Sequence, residues 1–216
     1  LYQTKPPVLF PNSGWLNLLN KSKSLPDDLD VTSILLLAMD APKRLAAEVH
    51  DTMQAYVNGR YSRIRNTFPD YRHYAAYSTW FGVKMPVDFD ICVLANILYM
   101  VEDYDLPYTK SDSASLDLIC EMIKNRHHIN NSTYISPYYD RTSVILYHLS
   151  RLMEAGSMPK LEQYREQLID DAKSCYKNSS NLLDKIILST ALMRWNQEPP
   201  VERFEINNDL HSYIED

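Results

Sequence analysis

The chain has 216 residues, is 45% hydrophobic, carries a formal net charge of −6 and contains three cysteines. This length suits one domain, and an acidic balance with no basic stripe argues against nucleic acid as a partner. The sequence has no 18-residue apolar stretch, so no membrane span is expected, and its three widely spaced cysteines do not form a disulfide framework. The sequence starts at Leu1 rather than methionine, so we expect the natural chain to begin upstream, and its compartment stays open.

Apolar and amphipathic helices alternate along the predicted chain, after an extended, proline-rich segment at 1–13. Helices that are apolar nearly all round are predicted at 30–40, 90–103, 140–155 and 182–196. One-faced helices are predicted between them at 43–57, 113–127 and 160–177, and a polar tail at 198–216. A further helix ending near Gly82 is predicted from the spacing of five aromatic residues, namely Tyr71, Tyr74, Tyr77, Trp80 and Phe81.

This alternation predicts the fold class. A helix without a polar face must be covered on more than one side, whereas an amphipathic helix needs only one neighbour. We therefore predict a single all-α domain over 1–216, a partial α/α toroid of helical hairpins whose parallel inner helices are wrapped by amphipathic ones.

One phrase occurs three times, at 25–33 (LPDDLDVTS), 85–93 (MPVDFDICV) and, more loosely, 136–144 (SPYYDRTSV). In each copy a proline and acidic residues precede an apolar run, which is typical of a helix start. A unit repeated after about 50–60 residues indicates stacked helical hairpins. If the inner helices are parallel, their acidic starts open on one mouth.

The first phrase resembles a motif of the terpenoid cyclase and protein prenyltransferase superfamily, whose fold is an α/α toroid. Squalene-hopene-type and class II diterpene cyclases carry Asp-x-Asp-Asp-Thr-Ala at the start of an inner helix. Asp28-Leu29-Asp30-Val31-Thr32-Ser33 matches it with Val31 in place of the last Asp, and Ile91 stands there in the second copy. The resemblance covers roughly residues 15–196 and implies that Asp30, or Asp90 in the second copy, takes the position of the proton donor.

The zinc-binding branch of the same superfamily offers a weaker match. Protein prenyltransferase β subunits use Asp-x-Cys at a helix start and a later His, and Asp90, Cys92 and His148 have this order. His148 lies about two turns inside its predicted helix, whereas Asp90 and Cys92 lie at a helix start, so their depths differ between parallel helices. We predict no metal site and no cofactor.

The candidate site is the mouth where the acidic helix starts converge. Asp at a helix start caps free N–H groups, and this ordinary role is expected for Asp30, Asp90 and Asp140. Capping does not explain the additional Asp28 and Asp88. Carboxylates in proximity raise one another's pKa, which can leave a general acid at neutral pH. The candidates are Asp30 and Asp90 for catalysis and, for ligand binding, Asp28, Asp88, Asp140, Tyr77, Trp80, Tyr138 and Tyr139.

The sequence leaves three functions open. The first is a toroid domain of terpenoid cyclase type with a small-molecule ligand, an isoprenoid or a saccharide. The second is a saccharide-binding or saccharide-processing toroid, because acids and aromatic rings also suit sugars. The third is a non-catalytic helical-repeat scaffold. Enzymatic activity and oligomeric state are not predicted.

One basic window interrupts the acidic chain between residues 60 and 72. It holds Arg60, Arg63, Arg65 and Arg72 among tyrosines. We interpret it as a solvated linker, with a phosphate or anion patch as the alternative.

Overall fold

The computed structural model describes residues 27–81 and 85–200. Within these ranges the chain forms ten α-helices and no strand, which confirms the all-α prediction. The helices are α1 (Leu29–Ala38), α2 (Lys43–Met53), α3 (Ile91–Asp103), α4 (Lys110–Lys124), α5 (His127–Asn130), α6 (Ser132–Ile135), α7 (Thr142–Ala155), α8 (Pro159–Glu162), α9 (Arg165–Asn178) and α10 (Leu182–Arg194). The predicted segment 1–13 and most of the predicted tail 198–216 lie outside the described residues.

The aromatic helix predicted to end near Gly82 is wrong. After a short 3-10 turn at Pro69–Tyr71 the chain follows an irregular path up to Phe81. Its amides bond to other segments: Ser78 N donates to the Tyr56 carbonyl at 2.9 Å, and Phe81 N donates to the Asp27 carbonyl at 2.9 Å. An amide committed to a distant carbonyl cannot donate to the carbonyl four residues earlier, so no helix forms.

Four helices lie side by side in the order α1, α3, α7, α10. In the pair α1 and α3, the Tyr104 hydroxyl at the C-terminal end of α3 donates to the Leu36 carbonyl near the C-terminal end of α1 at 2.6 Å. In the pair α7 and α10, Ser143 Oγ near the start of α7 donates to the Asp184 carboxylate near the start of α10 at 2.5 Å. Between α3 and α7, the Asp90 carboxylate at the start of α3 accepts from Tyr138 N, just before α7, at 3.0 Å. Each neighbouring pair therefore meets start to start or end to end, so the four helices run in the same direction.

Helix α3 forms the centre of the core. Every residue from Ile91 to Leu98 is at most 1% exposed, since α1, α4 and α7 all pack against this helix. Helix α2 is amphipathic, as predicted, and buries Ala46, Val49, His50 and Met53 at helical spacing. No helix in the part of the chain that the structure describes is long and apolar enough to cross a membrane.

The two end helices of the row are less covered than the sequence predicts. On α1, Val31 and Ile34 remain exposed, and on α10, Ile186 and Met193 do so as well. These two helices have a neighbour in the row on one side only, so part of their apolar circumference faces outward. An apolar sequence all round a helix therefore did not distinguish a central position from an end position.

The central position of α3 predicts a contrast between two truncations. Leu98→Ala removes a fully buried side chain and should lower the free energy of unfolding by about 2–5 kcal/mol. Val31→Ala is the control, because Val31 is 52% exposed and its loss should change stability by less than about 0.5 kcal/mol. Urea denaturation of both variants measures the difference, and equal losses would contradict the burial of α3.

Candidate functional site

The starts of α1 and α3 are held together by the irregular segment 78–81. Leu29 N donates to the Thr79 carbonyl at 2.9 Å, and Thr79 N donates to the Asp88 carbonyl at 3.2 Å. The first two copies of the acidic phrase therefore lie on either side of one short stretch of backbone. We call the group of residues gathered here the acidic cluster: Asp28, Asp30, Trp80, Asp88, Asp90, Tyr138 and Tyr139.

Two aspartates of the cluster cap helices, and they stand at different places in the repeated phrase. Asp28 Oδ1 accepts from Asp30 N at 2.7 Å and from Val31 N at 3.3 Å, so Asp28 caps α1. Asp90 Oδ1 accepts from Cys92 N at 2.8 Å and so caps α3. The prediction that Asp30 caps its helix is wrong, because α1 begins one residue before it.

Asp30 is instead buried on α1, with partners on α3 and in the segment before α7. Its side chain accepts from Asn96 Nδ2 at 2.5 Å and from the Tyr139 hydroxyl, and the residue is only 3% exposed. The carbonyl oxygen of the Asn96 side chain accepts in turn from Arg151, whose guanidinium lies 4.7 Å from the centre of the Tyr99 ring. The amide of Asn96 thus connects a carboxylate to a cation inside the fold, which compensates the cost of burying each charge.

Asp90 is the most heavily hydrogen-bonded carboxylate of the cluster. Besides the capping amides of Cys92 and Val93, it accepts from Ser136 Oγ at 2.8 Å and from Tyr138 N at 3.0 Å. It is 1% exposed, and burial raises its pKa to about 6 even though these donors favour the charged form. Its side chain joins the start of α3 to the segment that leads into α7.

Asp28 also has a raised pKa, of about 6. Burial is the main cause, and the nearby charge of Asp30 adds to it. The sequence predicts raised values from mutual repulsion of carboxylates, whereas desolvation dominates in the structure.

A partly exposed region of the cluster consists of two aromatic side chains and a carboxylate. Trp80 Nε1 donates to the Tyr138 hydroxyl at 3.0 Å, and that hydroxyl donates to Asp88 Oδ2 at 2.9 Å. The two rings meet edge to face with their centres 5.8 Å apart, and Tyr138 remains 45% exposed. Burial raises the pKa of Asp88 as well. A ligand from solvent can reach this trio, in contrast to Asp30 and Asp90.

A cavity of about 300 Å³ lies beside Asp88. Its wall consists of two short segments, with Pro86, Val87 and Asp88 on one side and Ser62, Arg63, Arg65 and Asn66 on the other. This volume is at the lower end of the range for small-molecule sites. The wall combines positively charged, negatively charged and neutral polar side chains with the apolar atoms of Pro86 and Val87.

Two predicted site residues lie outside the cluster. The Tyr77 side chain is fully buried in another polar group, where its hydroxyl donates to Asp112 Oδ1 at 2.8 Å and accepts from Gln54 Nε2 at 2.5 Å. Asp140 is exposed, and the residue at the cap position of α7 is Arg141. The predicted capping role of Asp140 is therefore wrong, since α7 begins later than the sequence pattern suggests.

The residues considered for zinc do not form a metal centre. Within residues 27–81 and 85–200, no three His, Cys, Asp or Glu side chains are arranged to hold a metal ion. His148 Nδ1 donates to the Val144 carbonyl of its own helix at 2.8 Å, and burial lowers the pKa of His148. Burial raises the pKa of the Cys92 thiol far above its ordinary value, which disfavours the thiolate that zinc would need.

Sequence reasoning missed the residues whose hydrogen bonds stabilise the buried acids, namely Asn96, Ser136 and, through Asn96, Arg151. Asn96 did leave a signal, because it is the single amide in an otherwise apolar run at 91–101. A buried polar side chain has to find partners, so an isolated Asn in such a run indicates a polar neighbour on a facing helix.

Searches with protein-family models, among curated proteins and among solved structures gave no match to this chain. The resemblance to terpenoid cyclases therefore stays a prediction from the motif residues. What the acidic cluster does is inferred from its geometry.

The raised pKa of Asp28 predicts a pH dependence of stability. The folded chain holds this proton up to about pH 6, whereas the unfolded chain releases it near its ordinary value of 3.8. Between these values the folded state binds more protons, so this contribution to stability is complete below pH 3.8 and is lost as the pH rises to about 6. Asp28→Asn keeps a capping oxygen but cannot titrate, and should therefore flatten the decline of the unfolding free energy in this window.

Urea denaturation in steps between pH 4 and pH 7 measures that slope. Asp140→Asn is the matched control, because Asp140 is exposed and outside the cluster. Identical slopes for the wild type and Asp28→Asn would contradict the proposed titration.

Proposed function

We propose that this chain is a saccharide-binding domain whose ligand lies against Trp80 and Tyr138 and reaches into the cavity beside Asp88. The observation that carries the proposal is the Tyr138 hydroxyl, which bridges Trp80 and Asp88 at the edge of that cavity. Aromatic side chains offer a large apolar surface with a polar end, and a carboxylate beside them accepts hydrogen bonds from hydroxyls. Saccharide rings combine these two surfaces, with apolar C–H faces and hydroxyls at the rim.

Asp88 retains hydrogen-bonding capacity for such a ligand. It receives hydrogen bonds from the Tyr138 hydroxyl and from the Phe89 amide. A carboxylate has about four acceptor positions, so positions remain for ligand hydroxyls. Asn66 and Ser62 line the opposite wall and supply further partners. Each hydroxyl that leaves water needs such a partner, because an unpaired buried hydroxyl costs about 1–3 kcal/mol.

The burial and internal hydrogen bonds of Asp30 and Asp90 favour a binding function over proton donation to a substrate. A general acid has to come within about 2.6–3.2 Å of the atom that it protonates. Both carboxylates are almost completely buried and hold hydrogen bonds from their own chain. We propose that Asp90 positions the ligand contact instead, since it accepts from the backbone N–H of Tyr138.

We also propose the partial toroid as the architecture that carries this site. The common direction of α1, α3, α7 and α10 supports it, as do α4 packed on α3 and α9 packed on both α7 and α10. In such an arrangement, inner-helix starts surround one opening. The acidic cluster lies at the starts of α1 and α3 and just before α7, which is where a toroid of the terpenoid cyclase type would place a ligand.

The proposal predicts that Trp80→Ala weakens saccharide binding about tenfold or more, because losing the burial of a large apolar side chain costs about 1.5–3 kcal/mol, and about 1.4 kcal/mol corresponds to a tenfold change in affinity. A glycan array with neutral and acidic saccharides identifies a ligand, and isothermal titration calorimetry measures its affinity. Tyr108→Ala is the control, because Tyr108 is an exposed aromatic side chain that lines a different cavity. Absence of binding to every saccharide, or unchanged affinity of Trp80→Ala, would contradict the proposal and favour the helical-repeat scaffold.

The bridging hydroxyl predicts a smaller effect for Tyr138→Phe. This change keeps the ring and removes the hydrogen bonds to Trp80 and Asp88. We expect a loss of affinity of about threefold to tenfold, because one net hydrogen bond contributes about 0.5–1.5 kcal/mol. The same calorimetric titration measures this loss of affinity. A loss as large as that of Trp80→Ala would show that the Trp80 ring contributes nothing beyond the hydrogen bonds of the Tyr138 hydroxyl.

A further inference from the structure

A buried side chain helps to hold the loop that forms one wall of the cavity in a defined shape. Asn58 is 6% exposed, and its Nδ2 donates to the carbonyls of Arg72 at 2.9 Å and Tyr74 at 2.8 Å. Its Oδ1 accepts from Ile64 N at 2.8 Å. All three hydrogen bonds are to backbone groups, so the path of the loop is set before any ligand binds.

Two arginines project from this loop into the cavity. Ile64 is 3% exposed and anchors the loop in the core, whereas its neighbours Arg63 and Arg65 are exposed and both line the cavity. Anchoring of the residue between them restricts where the two guanidinium groups can lie. The two positive charges therefore share one small space.

Within the part of the chain that the structure describes, neither arginine forms an ion pair. Among the described residues, no carboxylate lies within 4.0 Å of the guanidinium of Arg63 or Arg65, although Asp88 lines the same cavity. By contrast, Arg126 is paired with Asp171 and Arg194 with Glu154. The chain as a whole has a net charge of −6, whereas the wall of this cavity carries two arginines and one aspartate and is therefore locally positive.

We propose that the ligand is an acidic saccharide whose oxyanion, a phosphate or a carboxylate, binds between Arg63 and Arg65. This inference rests on the saccharide function proposed above and names the class of sugar. Guanidinium groups match the geometry of both oxyanions and bind them through paired N–H donors. Ser62 and Asn66 add neutral donors on the same wall. Asp88 lies on the opposite wall, where it repels a second anion and accepts from hydroxyls, so the ligand is anionic at one end only.

The test compares four ligands on the full chain: a hexose phosphate, the hexuronic acid, the neutral hexose and inorganic phosphate. Arg63→Gln/Arg65→Gln removes both charges, and Arg60→Gln is the control, because Arg60 is exposed in the same loop but does not line the cavity. We expect an acidic sugar to bind at least tenfold more tightly than the neutral hexose. The double variant should lose that advantage, so that it binds acidic and neutral sugars with similar affinity, and Arg60→Gln should bind as the wild type does.

The four ligands separate failure of this inference from failure of the saccharide function. Equal affinity for acidic and neutral sugars, or an unchanged preference in the double variant, overturns the inference and leaves the saccharide function intact. Binding of inorganic phosphate but of no sugar, lost in the double variant, supports the arginine site and overturns the saccharide function. A preference for the hexose phosphate or for the hexuronic acid identifies the oxyanion. Circular dichroism of the double variant verifies that it is folded.

Discussion

The proposed ligand site depends on the hydrogen bonds that the buried Asp90 carboxylate accepts. This carboxylate caps α3, the helix at the centre of the core, and it accepts from Ser136 and from the backbone of Tyr138 in the segment before α7. A buried charge is tolerated only when its hydrogen bonds are satisfied, and here all the donors come from the chain itself. One side chain therefore sets the start of α3 and the position of an exposed aromatic ring.

Two layers of acidic residues result from this arrangement. The inner layer, Asp30 and Asp90, accepts hydrogen bonds from donors of the chain itself and so connects α1 and α3 to each other and α3 to the segment before α7. The outer layer, Asp28 and Asp88, is half-buried beside Trp80. The motif that resembles a catalytic acid thus contributes to structure through its buried members, and in the proposed function the ligand contacts Asp88, which solvent partly reaches.

The sequence predicted the helices well where burial alone decides, and poorly where one hydrogen bond decides. The apolar run at 91–101 predicted α3, and the repeated phrase predicted that acidic helix starts lie together. It did not predict that Asp28, the first residue of the Asp-x-Asp pair in one copy, and Asp90, the last residue of that pair in the other, cap their helices, because α1 and α3 begin at different places in the phrase. Helical spacing of aromatic residues misled for 71–81, where the amides bond to distant carbonyls. The cavity was not predictable, since it joins segments about 20 residues apart through loops without periodicity.

The dependence of one cavity wall on Asn58 has a chemical consequence. Asn58 is followed by Gly59, and an asparagine before glycine deamidates readily, because the unhindered glycine nitrogen attacks the side-chain carbonyl. In the folded chain the nitrogen of Gly59 donates to the Ser62 carbonyl at 2.8 Å, and the side-chain amide is fixed, so the approach is restrained. This attack releases ammonia and forms a cyclic imide, whose hydrolysis gives aspartate and isoaspartate, so chains kept unfolded would accumulate both at this position. On refolding, the new carboxylate would oppose the carbonyl oxygens of Arg72 and Tyr74, so aged material would differ from fresh material at this loop.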